Sequence, residues 1–165
     1  MPDTDFKLPS EGIIETRYLV MPHHTNHLGT LFGGQLLSWI DMAAAMSAQK
    51  YSGYEVVTIG MDSITFKTPI NIGDHVIIKA TVNFVGNTSM EVGVIVYKEN
   101  PLKKTSELAT TAFMTFVALD STKKPVKLPK LLVKTDDEIK KLNNAKIRVE
   151  NRKELIQKLH VINQT

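Results

Sequence analysis

One aspartate, Asp41, lies in the middle of a stretch that is otherwise almost entirely apolar or small, Gly33 to Ala48. Ala, Leu and Met dominate this stretch, so it predicts a helix with apolar residues on nearly every face, the pattern of a buried helix. The residues one turn away from the aspartate are Leu37, Ser38, Ala44 and Ala45. None of these side chains pairs with a charge. A buried carboxylate without a local partner is costly, so it needs a partner distant in sequence or takes part in chemistry.

The segment just before this helix combines histidines, an asparagine and glycines. Residues 23–27 read His-His-Thr-Asn-His, and Phe32, Gly33 and Gly34 follow. Glycines at a helix start leave backbone N–H groups uncovered at the positive end of the helix dipole, which suits an oxyanion or a phosphate. The alternative is that they only permit a tight turn. Asp41 lies about 11 Å further along the helix axis, so a site that uses both ends would be assembled between two chains.

The three histidines, His23, His24 and His27, could suggest a metal site. Two adjacent histidines on an irregular loop do not point easily at one ion, and no second cluster completes a ligand set. We therefore expect no metal here, and His27 is expected at most to shape the site beside Asn26.

Length and composition predict one globular domain. The chain has 165 residues, 42% hydrophobic and 22% charged, and no cysteine, which excludes disulfides and thiol chemistry and is compatible with the cytoplasm. Residues 1–10 hold no apolar core of signal-peptide length, and the longest apolar stretch, 28–48, is interrupted by polar residues and glycines. We interpret that stretch as a core helix and expect no membrane span.

Hydrophobic periodicity predicts one strand, one long helix and then four strands. The predicted strands are 13–20, 56–66, 75–85, 88–97 and 107–119, and the predicted helix is 34–51. Short turns between the last four strands predict an antiparallel meander, which the single apolar helix would cover on one face. The fold class is therefore α+β. With so much apolar surface and one helix, we expect the sheet edges to pair with another copy of the chain.

The C-terminal part differs from the rest in charge. Residues 1–120 hold 8 Lys/Arg and 12 Asp/Glu, a net charge of −4, whereas residues 121–165 hold 12 and 5, a net charge of +7. Thr135 and Glu138 form a capping-box pattern that predicts the start of a second helix. Its apolar stripe is narrow and is interrupted by a basic residue: Leu142, Ala145, Val149, Arg152, Ile156 and Leu159. This predicts packing against the body or a neighbouring subunit, with the lysines on a solvated face; contact with nucleic acid, acidic lipid or a phosphorylated ligand is the alternative.

Three motifs together resemble a known family. They are Asn26-x-x-Gly29-x-x-Phe32-Gly33-Gly34-x-x-Leu37-x-x-x-Asp41, then Ser63-Ile64-Thr65-Phe66-Lys67-x-Pro69-x-x-x-Gly73-Asp74, then Gly86-x-Thr88-Ser89. In this order and spacing they are similar to those of hotdog-fold acyl-CoA thioesterases, in particular the short-chain bacterial and the brain-type acyl-CoA hydrolases. The similarity covers about residues 11–120.

The resemblance implies a hotdog fold, in which an antiparallel sheet wraps around a long central helix. Together with the charge pattern and the predicted second helix, it leads us to expect three parts: an N-terminal tail, 1–10, a thioesterase domain, 11–123, and a basic linker with a C-terminal helix, 124–165, for which the resemblance implies nothing. It also implies a homodimer with a continuous sheet, assembled further into a hexamer as a trimer of dimers. The partner molecules would be acyl-CoA and CoA, with no separate cofactor and no nucleic acid.

The resemblance also implies the site residues. Asn26 and Asp41 would be the catalytic pair, contributed by opposite subunits, with Asp41 as general base or nucleophile. The backbone N–H of Gly34 would stabilise the oxyanion, beside Gly33 and Phe32. Substrate-binding contacts are expected from Lys67, Thr88 and Ser89.

Two other functions remain open at this point. A hotdog dehydratase acting on β-hydroxyacyl thioesters would pair His27 with Asp41, although the Asn-x-x-Gly and Gly-Gly pattern favours hydrolysis. A non-catalytic acyl-CoA sensor that represses transcription would carry a helix-turn-helix, and no such pattern is present in the sequence.

Overall fold

The structure is a computed structural model that describes residues 6–62 and 64–162, with side chains described through residue 159. Ser63, which belongs to the second motif, and the first five residues of the predicted N-terminal tail lie outside the described residues. The strands are β1 (Phe6–Lys7), β2 (Ile14–Leu19), β3 (Glu55–Met61), β4 (His75–Val85), β5 (Ser89–Asn100), β6 (Thr105–Leu119) and β7 (Lys130–Leu131). The helices are α1 (Gly33–Ser52) and α2 (Asp136–Ile162), with short 3-10 turns at Pro9–Gly12 and Pro22–His24.

The main sheet has five antiparallel strands in the order β2-β4-β5-β6-β3. The prediction of a four-strand meander was therefore wrong, because only β4, β5 and β6 follow one another in the sheet. β3 lies at the far edge, where it pairs with β6, with Glu55 opposite Leu119 and Met61 opposite Met114. The segment after β3 has to cross the sheet to reach β4. The prediction assumed instead that a short turn joins these two strands as neighbours.

The third strand is shorter than the predicted range 56–66. It ends at Met61, and the following residues lie along β6 without continuing the ladder: Lys67 donates its backbone N–H to the Ala109 carbonyl at 3.0 Å. The Thr110 hydroxyl donates to the Thr65 carbonyl at 2.7 Å. Pro69 removes a donor from this segment, which disfavours a regular strand.

Helix α1 crosses the concave face of the sheet, as the sequence predicts. Its buried residues recur at helical spacing: Leu36, Trp39, Ile40, Ala43, Ala44, Ser47, Ala48, Tyr51 and Ser52. The helix ends where Gly53 takes a left-handed conformation, with φ +76°, that glycine adopts without steric cost. The expectation of burial on all faces was wrong for the single chain, because Met42 and Met46 are 45% and 39% exposed. This architecture, one long helix inside a curved antiparallel sheet, is the hotdog arrangement that the resemblance implies.

The C-terminal segment packs on the body rather than trailing from it. Leu128 belongs to the buried core, the Tyr51 hydroxyl donates to the Pro129 carbonyl at 3.1 Å, and β7 pairs with β1. Helix α2 begins with the predicted capping box: the Glu138 N–H donates to the Thr135 hydroxyl at 3.2 Å, and the Thr135 N–H donates to the Glu138 carboxylate at 3.0 Å. Neither α1 nor α2, over the residues described, carries an apolar run long enough to cross a bilayer.

Candidate active site

Asn26 lies in a small hairpin that leads into α1. Its side-chain oxygen accepts the backbone N–H groups of Leu28 and Thr30 at 2.9 and 3.2 Å, and its backbone N–H donates to the Thr30 carbonyl at 2.8 Å. The turn closes through Gly29, whose φ of +76° favours glycine. The side-chain amide nitrogen donates to the Thr30 hydroxyl at 3.1 Å. An amide group has two N–H donors, so one remains to meet a ligand.

The start of α1 has uncovered backbone donors, as the glycine pair predicts. The Gln35 and Leu36 N–H groups donate to the Phe32 carbonyl. Within the described part of the chain, no acceptor is found for the N–H groups of Gly33 and Gly34. The Phe32 ring lies directly over Gly34, where an added Cβ would come within 2.4 Å of the ring. Gly34 therefore leaves room for the Phe32 ring, which fills the space that a side chain at position 34 would occupy.

A cleft of about 300 Å³ opens beside this helix start. Asn26 and Gly33 line one side, and the segment after β3 supplies the other through Phe66, Lys67 and Pro69. Lys67 and Phe66 are exposed. The structure thus brings together the amide of Asn26, a glycine at the start of α1 and the Lys67 cation in one cleft with partly apolar walls. A thioester carbonyl or a phosphate matches this combination of donors.

Asp41 lies elsewhere in the same chain. Its carboxylate accepts a hydrogen bond from the Thr58 hydroxyl of β3 at 2.9 Å, so its partner is distant in sequence, as the isolated carboxylate predicts. Thr58 lies where the pairing of β3 with β6 shifts register, between Thr58 and Gly60, and such bulges re-aim side chains. Thr58 was not among the predicted site residues; the one feature that marks it in the sequence is a hydroxyl side chain within an apolar strand. The predicted burial of Asp41 was wrong for the single chain, in which it is partly exposed.

The single chain does not unite Asn26 and Asp41. Asp41 is eight positions after Gly33 in α1, which is about 12 Å along the helix axis, and Asp41 does not line the cleft that contains Asn26. The two side chains can act on one substrate only if a second chain supplies one of them.

Part of the exposed apolar surface of the single chain lies on α1, next to Asp41, and on β3. We call it the seam face and define it by Met42 and Met46 of α1 together with Val57 and Ile59 of β3; Ile59 is 60% exposed. β3 is also an edge strand of the sheet among residues 6–62 and 64–162, so its outer backbone groups can pair with a strand of another chain. Exposed apolar side chains beside an open strand edge are typical of a protein interface.

Thr88 and Ser89 lie in the turn between β4 and β5, at the end of β4 opposite to the cleft. The Thr88 carbonyl accepts the Ala118 N–H at 3.1 Å, whereas the cleft is connected to the other end of β4 through the Thr30–Asn71 bridge. The eleven residues of β4 span about 36 Å, so these two residues do not reach the cleft of their own chain.

The histidine cluster has structural contacts. The His24 ring packs edge-on against Trp39 with centroids 4.9 Å apart, and its Nδ1 accepts the Met21 N–H at 3.1 Å. Desolvation, with a contribution from His23, lowers the pKa of His24. A lowered pKa favours the neutral imidazole, whose unprotonated Nδ1 can accept the Met21 N–H. No group of three or more metal-ligating side chains occurs among the residues described.

Helix α2 is fixed to the convex face of the sheet by two ion pairs that sequence analysis did not foresee. Arg148 donates to both carboxylate oxygens of Glu91, at 2.7 to 3.3 Å, and its guanidinium stacks 3.5 Å from the centroid of Phe113. Arg152, predicted only as an interruption of an apolar stripe, donates to both oxygens of Asp62 at 2.8 and 2.9 Å. Asp62 follows β3 directly, so α2 is connected to the segment that forms one wall of the cleft.

Comparison with known proteins identifies the family. The thioesterase superfamily matches residues 28–105. An uncharacterised acyl-CoA thioester hydrolase of Bacillus subtilis, YkhA, is 44% identical over 152 residues, which cover 92% of this chain and 87% of the relative. A hexameric acyl-CoA thioesterase of known structure superimposes with a TM-score of 0.89 at 38% identity and covers 92% of this chain and 97% of its own.

A second solved relative is an acyl-CoA hydrolase from Staphylococcus aureus in complex with butyryl-CoA, CoA and CoA disulfide. It has a TM-score of 0.87 and 37% identity and covers 96% of this chain and 97% of its own. Structures of the same hydrolase are known with an Asn, an Asp or a Thr replaced by Ala. On this sequence identity, coverage and fold, the chain belongs to the acyl-CoA thioester hydrolases of the thioesterase superfamily.

Proposed function

We propose that this protein hydrolyses acyl-CoA to a carboxylic acid and CoA at a site shared by two subunits, with Asn26 from one and Asp41 from the other. The observation that carries the proposal is the separation of the two halves in one chain. The cleft at the start of α1 holds donors for a thioester carbonyl, whereas the Asp41 carboxylate lies on the seam face beside an open strand edge. Pairing of two β3 edges around a two-fold axis would bring Asp41 of one copy to the cleft of the other.

In this mechanism the carbonyl oxygen accepts hydrogen bonds from the Gly34 N–H and the Asn26 amide. Asp41 removes a proton from water as the water oxygen attacks the carbonyl carbon, and the C–S bond breaks to release the CoA thiolate, which is then protonated. The alternative is direct attack of an Asp41 carboxylate oxygen on the carbonyl carbon, which breaks the C–S bond and releases the CoA thiolate; water then hydrolyses the resulting anhydride to free acid and Asp41. Thr58 holds the carboxylate by its hydrogen bond in either route.

The S. aureus relative supports this assignment by spacing. Its replaced Asn, Asp and Thr are separated by 15 and 17 positions, the same separations as between Asn26, Asp41 and Thr58 in this chain. That relative binds butyryl-CoA, and other relatives are hexamers. We therefore propose a dimer as the catalytic unit and a hexamer as its assembly. Lys67 of the cleft, and Thr88 and Ser89 of a neighbouring subunit, are proposed to contact the CoA portion.

Complementation between two inactive variants tests the shared site. Asp41→Asn and Asn26→Ala, each prepared alone, should hydrolyse acyl-CoA about 100-fold more slowly than the parent protein or worse. After subunit exchange, each mixed dimer contains one site with both residues intact, so activity should recover to about one quarter of that of the parent. A site within one chain would give no recovery. Absence of recovery, with exchange verified by native mass spectrometry, would refute the shared site.

A further inference from the structure

A second cavity lies on the other side of the sheet, between its convex face and the first half of α2. Its volume is about 390 Å³, within the range of about 300–1,000 Å³ typical of small-molecule sites. Ile95 and Phe113 line the sheet side, and Lys141 and Asn144 line the helix side. We call this the outer cavity. None of the residues that line the cleft beside Asn26 lines it.

One largely buried side-chain amide lines the outer cavity and is available to a ligand there. Asn83 of β4 is only 5% exposed, and its side chain makes no hydrogen bond to any residue that the structure describes. It lies where the pairing of β4 with β5 shifts register, between Val82 and Phe84. A bulge of this kind aims one side chain away from the regular pattern. The amide atoms of Asn83 are in contact with the open space of the cavity, so either water or a polar atom of a ligand can meet them.

Gly93, opposite on β5, makes room for this amide. A Cβ at this position would lie 2.1 Å from Nδ2 of Asn83. Glycine inside a strand weakens the strand and often marks a close approach by another group. The bulge in β4 and the glycine in β5 therefore favour the same feature, an asparagine amide held at the wall of the outer cavity.

The surroundings select the chemical class of the ligand. Ile95 and Phe113 provide an apolar floor, and two ammonium groups, Lys79 and Lys141, line the cavity. Their carboxylate partners are Glu15 at 3.5 Å and Asp137 at 2.6 Å. The side chains of both pairs are 40–69% exposed, so the pairs contribute little and their lysines can turn to another anion. A carboxylate on an aliphatic chain fits this combination of amide donor, cations and apolar floor.

We propose that the outer cavity is a non-catalytic binding site for an aliphatic carboxylate, with Asn83 donating to the carboxylate oxygen. Identification of that ligand as the enzyme's own product rests on the proposed thioester hydrolysis; the binding itself does not. Because the cavity lies between the sheet and α2, an occupied site stabilises the packing of α2. The protein would thus sense free acid at a place separate from the cleft.

Calorimetric titration of the full-length protein with sodium hexanoate tests the site. The parent protein and Asn26→Ala should bind hexanoate with the same affinity, whereas Asn83→Leu, which removes the amide, should bind at least tenfold more weakly. Gly93→Ala is a second variant, in which the added methyl displaces the Asn83 amide; it should show the same loss even if Asn83→Leu folds poorly.

Two results would overturn the proposal. Absence of binding to the parent protein would mean that the outer cavity holds only water. Binding that survives Asn83→Leu but is lost in Asn26→Ala would place the acid in the thioester cleft. Hydrolysis is measured separately with butyryl-CoA, so a protein that binds hexanoate through Asn83 without hydrolysing thioesters would refute the proposed function and support this site.

Discussion

Replacement of Arg148 by Met should measure how much the free energy of unfolding depends on the ion pair between Glu91 and α2. Glu91 is 1% exposed and accepts three hydrogen bonds from Arg148. Removing one partner of a buried ion pair typically costs about 3–5 kcal/mol, because the other charge remains buried. Arg152 stays 4.0 Å from Glu91, so we expect a value of about 3 kcal/mol, at the lower end of that range. For a domain of this size that corresponds to a fall in Tm of about 6–12 °C.

The loss should also depend on pH. Burial raises the pKa of Glu91, and the hydrogen bonds and charge of Arg148 oppose that rise, so the variant should have a still higher folded pKa. A folded carboxyl with a raised pKa binds more protons than the unfolded chain. The free energy of unfolding therefore falls as pH rises from the unfolded pKa towards the folded one. The difference in Tm between parent and Arg148→Met should consequently be larger at pH 8 than at pH 5.

Thermal unfolding at fixed protein concentration, followed by circular dichroism, measures both effects. The double variant Glu91→Met with Arg148→Met should recover most of the lost stability, since apolar pairs of similar volume replace buried ion pairs at little cost. A single variant as stable as the parent at pH 8, or a double variant as unstable as the single one, would refute this reasoning.

Other predictions concern the catalytic residues, the seam face and the helix ends. Thr58→Val should lower kcat about tenfold or more with little change in folding, because a hydrogen bond to a charged group contributes about 1.5–3 kcal/mol. Steady-state kinetics with butyryl-CoA measure kcat, and an unchanged kcat would show that Thr58 does not act in the site. Ile59→Lys should prevent pairing of the β3 edges, which light scattering would detect as a smaller mass; a mass equal to that of the parent would argue against the seam face. Thr135→Ala should lower the free energy of unfolding by about 1 kcal/mol, because it removes the cap of α2. Gly53→Ala should lower it by about 1 kcal/mol, because alanine is strained at φ +76°. A variant with the same Tm as the parent would contradict the corresponding prediction.

Local patterns in the sequence were sufficient for several elements. Apolar spacing placed α1 within a residue at each end, and the alternation of 75–85 matches β4 completely. The capping box placed the start of α2 because both of its hydrogen bonds lie within four residues. Motif spacing led to the family, which the comparisons confirm.

Features that depend on distant pairing could not be predicted in the same way. The position of β3 depends on its pairing with β6, whose partner residues lie 53 to 64 positions later, whereas the short turns in the sequence favour β4 as its neighbour. The contacts of Asp41 with Thr58 and of Glu91 with Arg148 join residues that are 17 and 57 positions apart. Asp62 with Arg152 spans 90 positions, so no local spacing relates the two. The burial of Asp41 was overestimated because an apolar helix face can be covered by a second chain as well as by the sheet of its own chain.

The edge position of β3 also determines when the proposed site can form during synthesis. Within the part of the chain that the structure describes, β6 is the one strand that pairs with β3, so residues 55–61 stay unpaired in the sheet until residues 114–119 have left the ribosome. Contacts of such sequence separation form late and slowly, because a long loop has to close first. The hairpins of β4, β5 and β6 are local and should form earlier. Thr58 therefore reaches Asp41 only in a nearly complete nascent chain, and until then the apolar strand is a substrate for chaperones rather than part of a sheet.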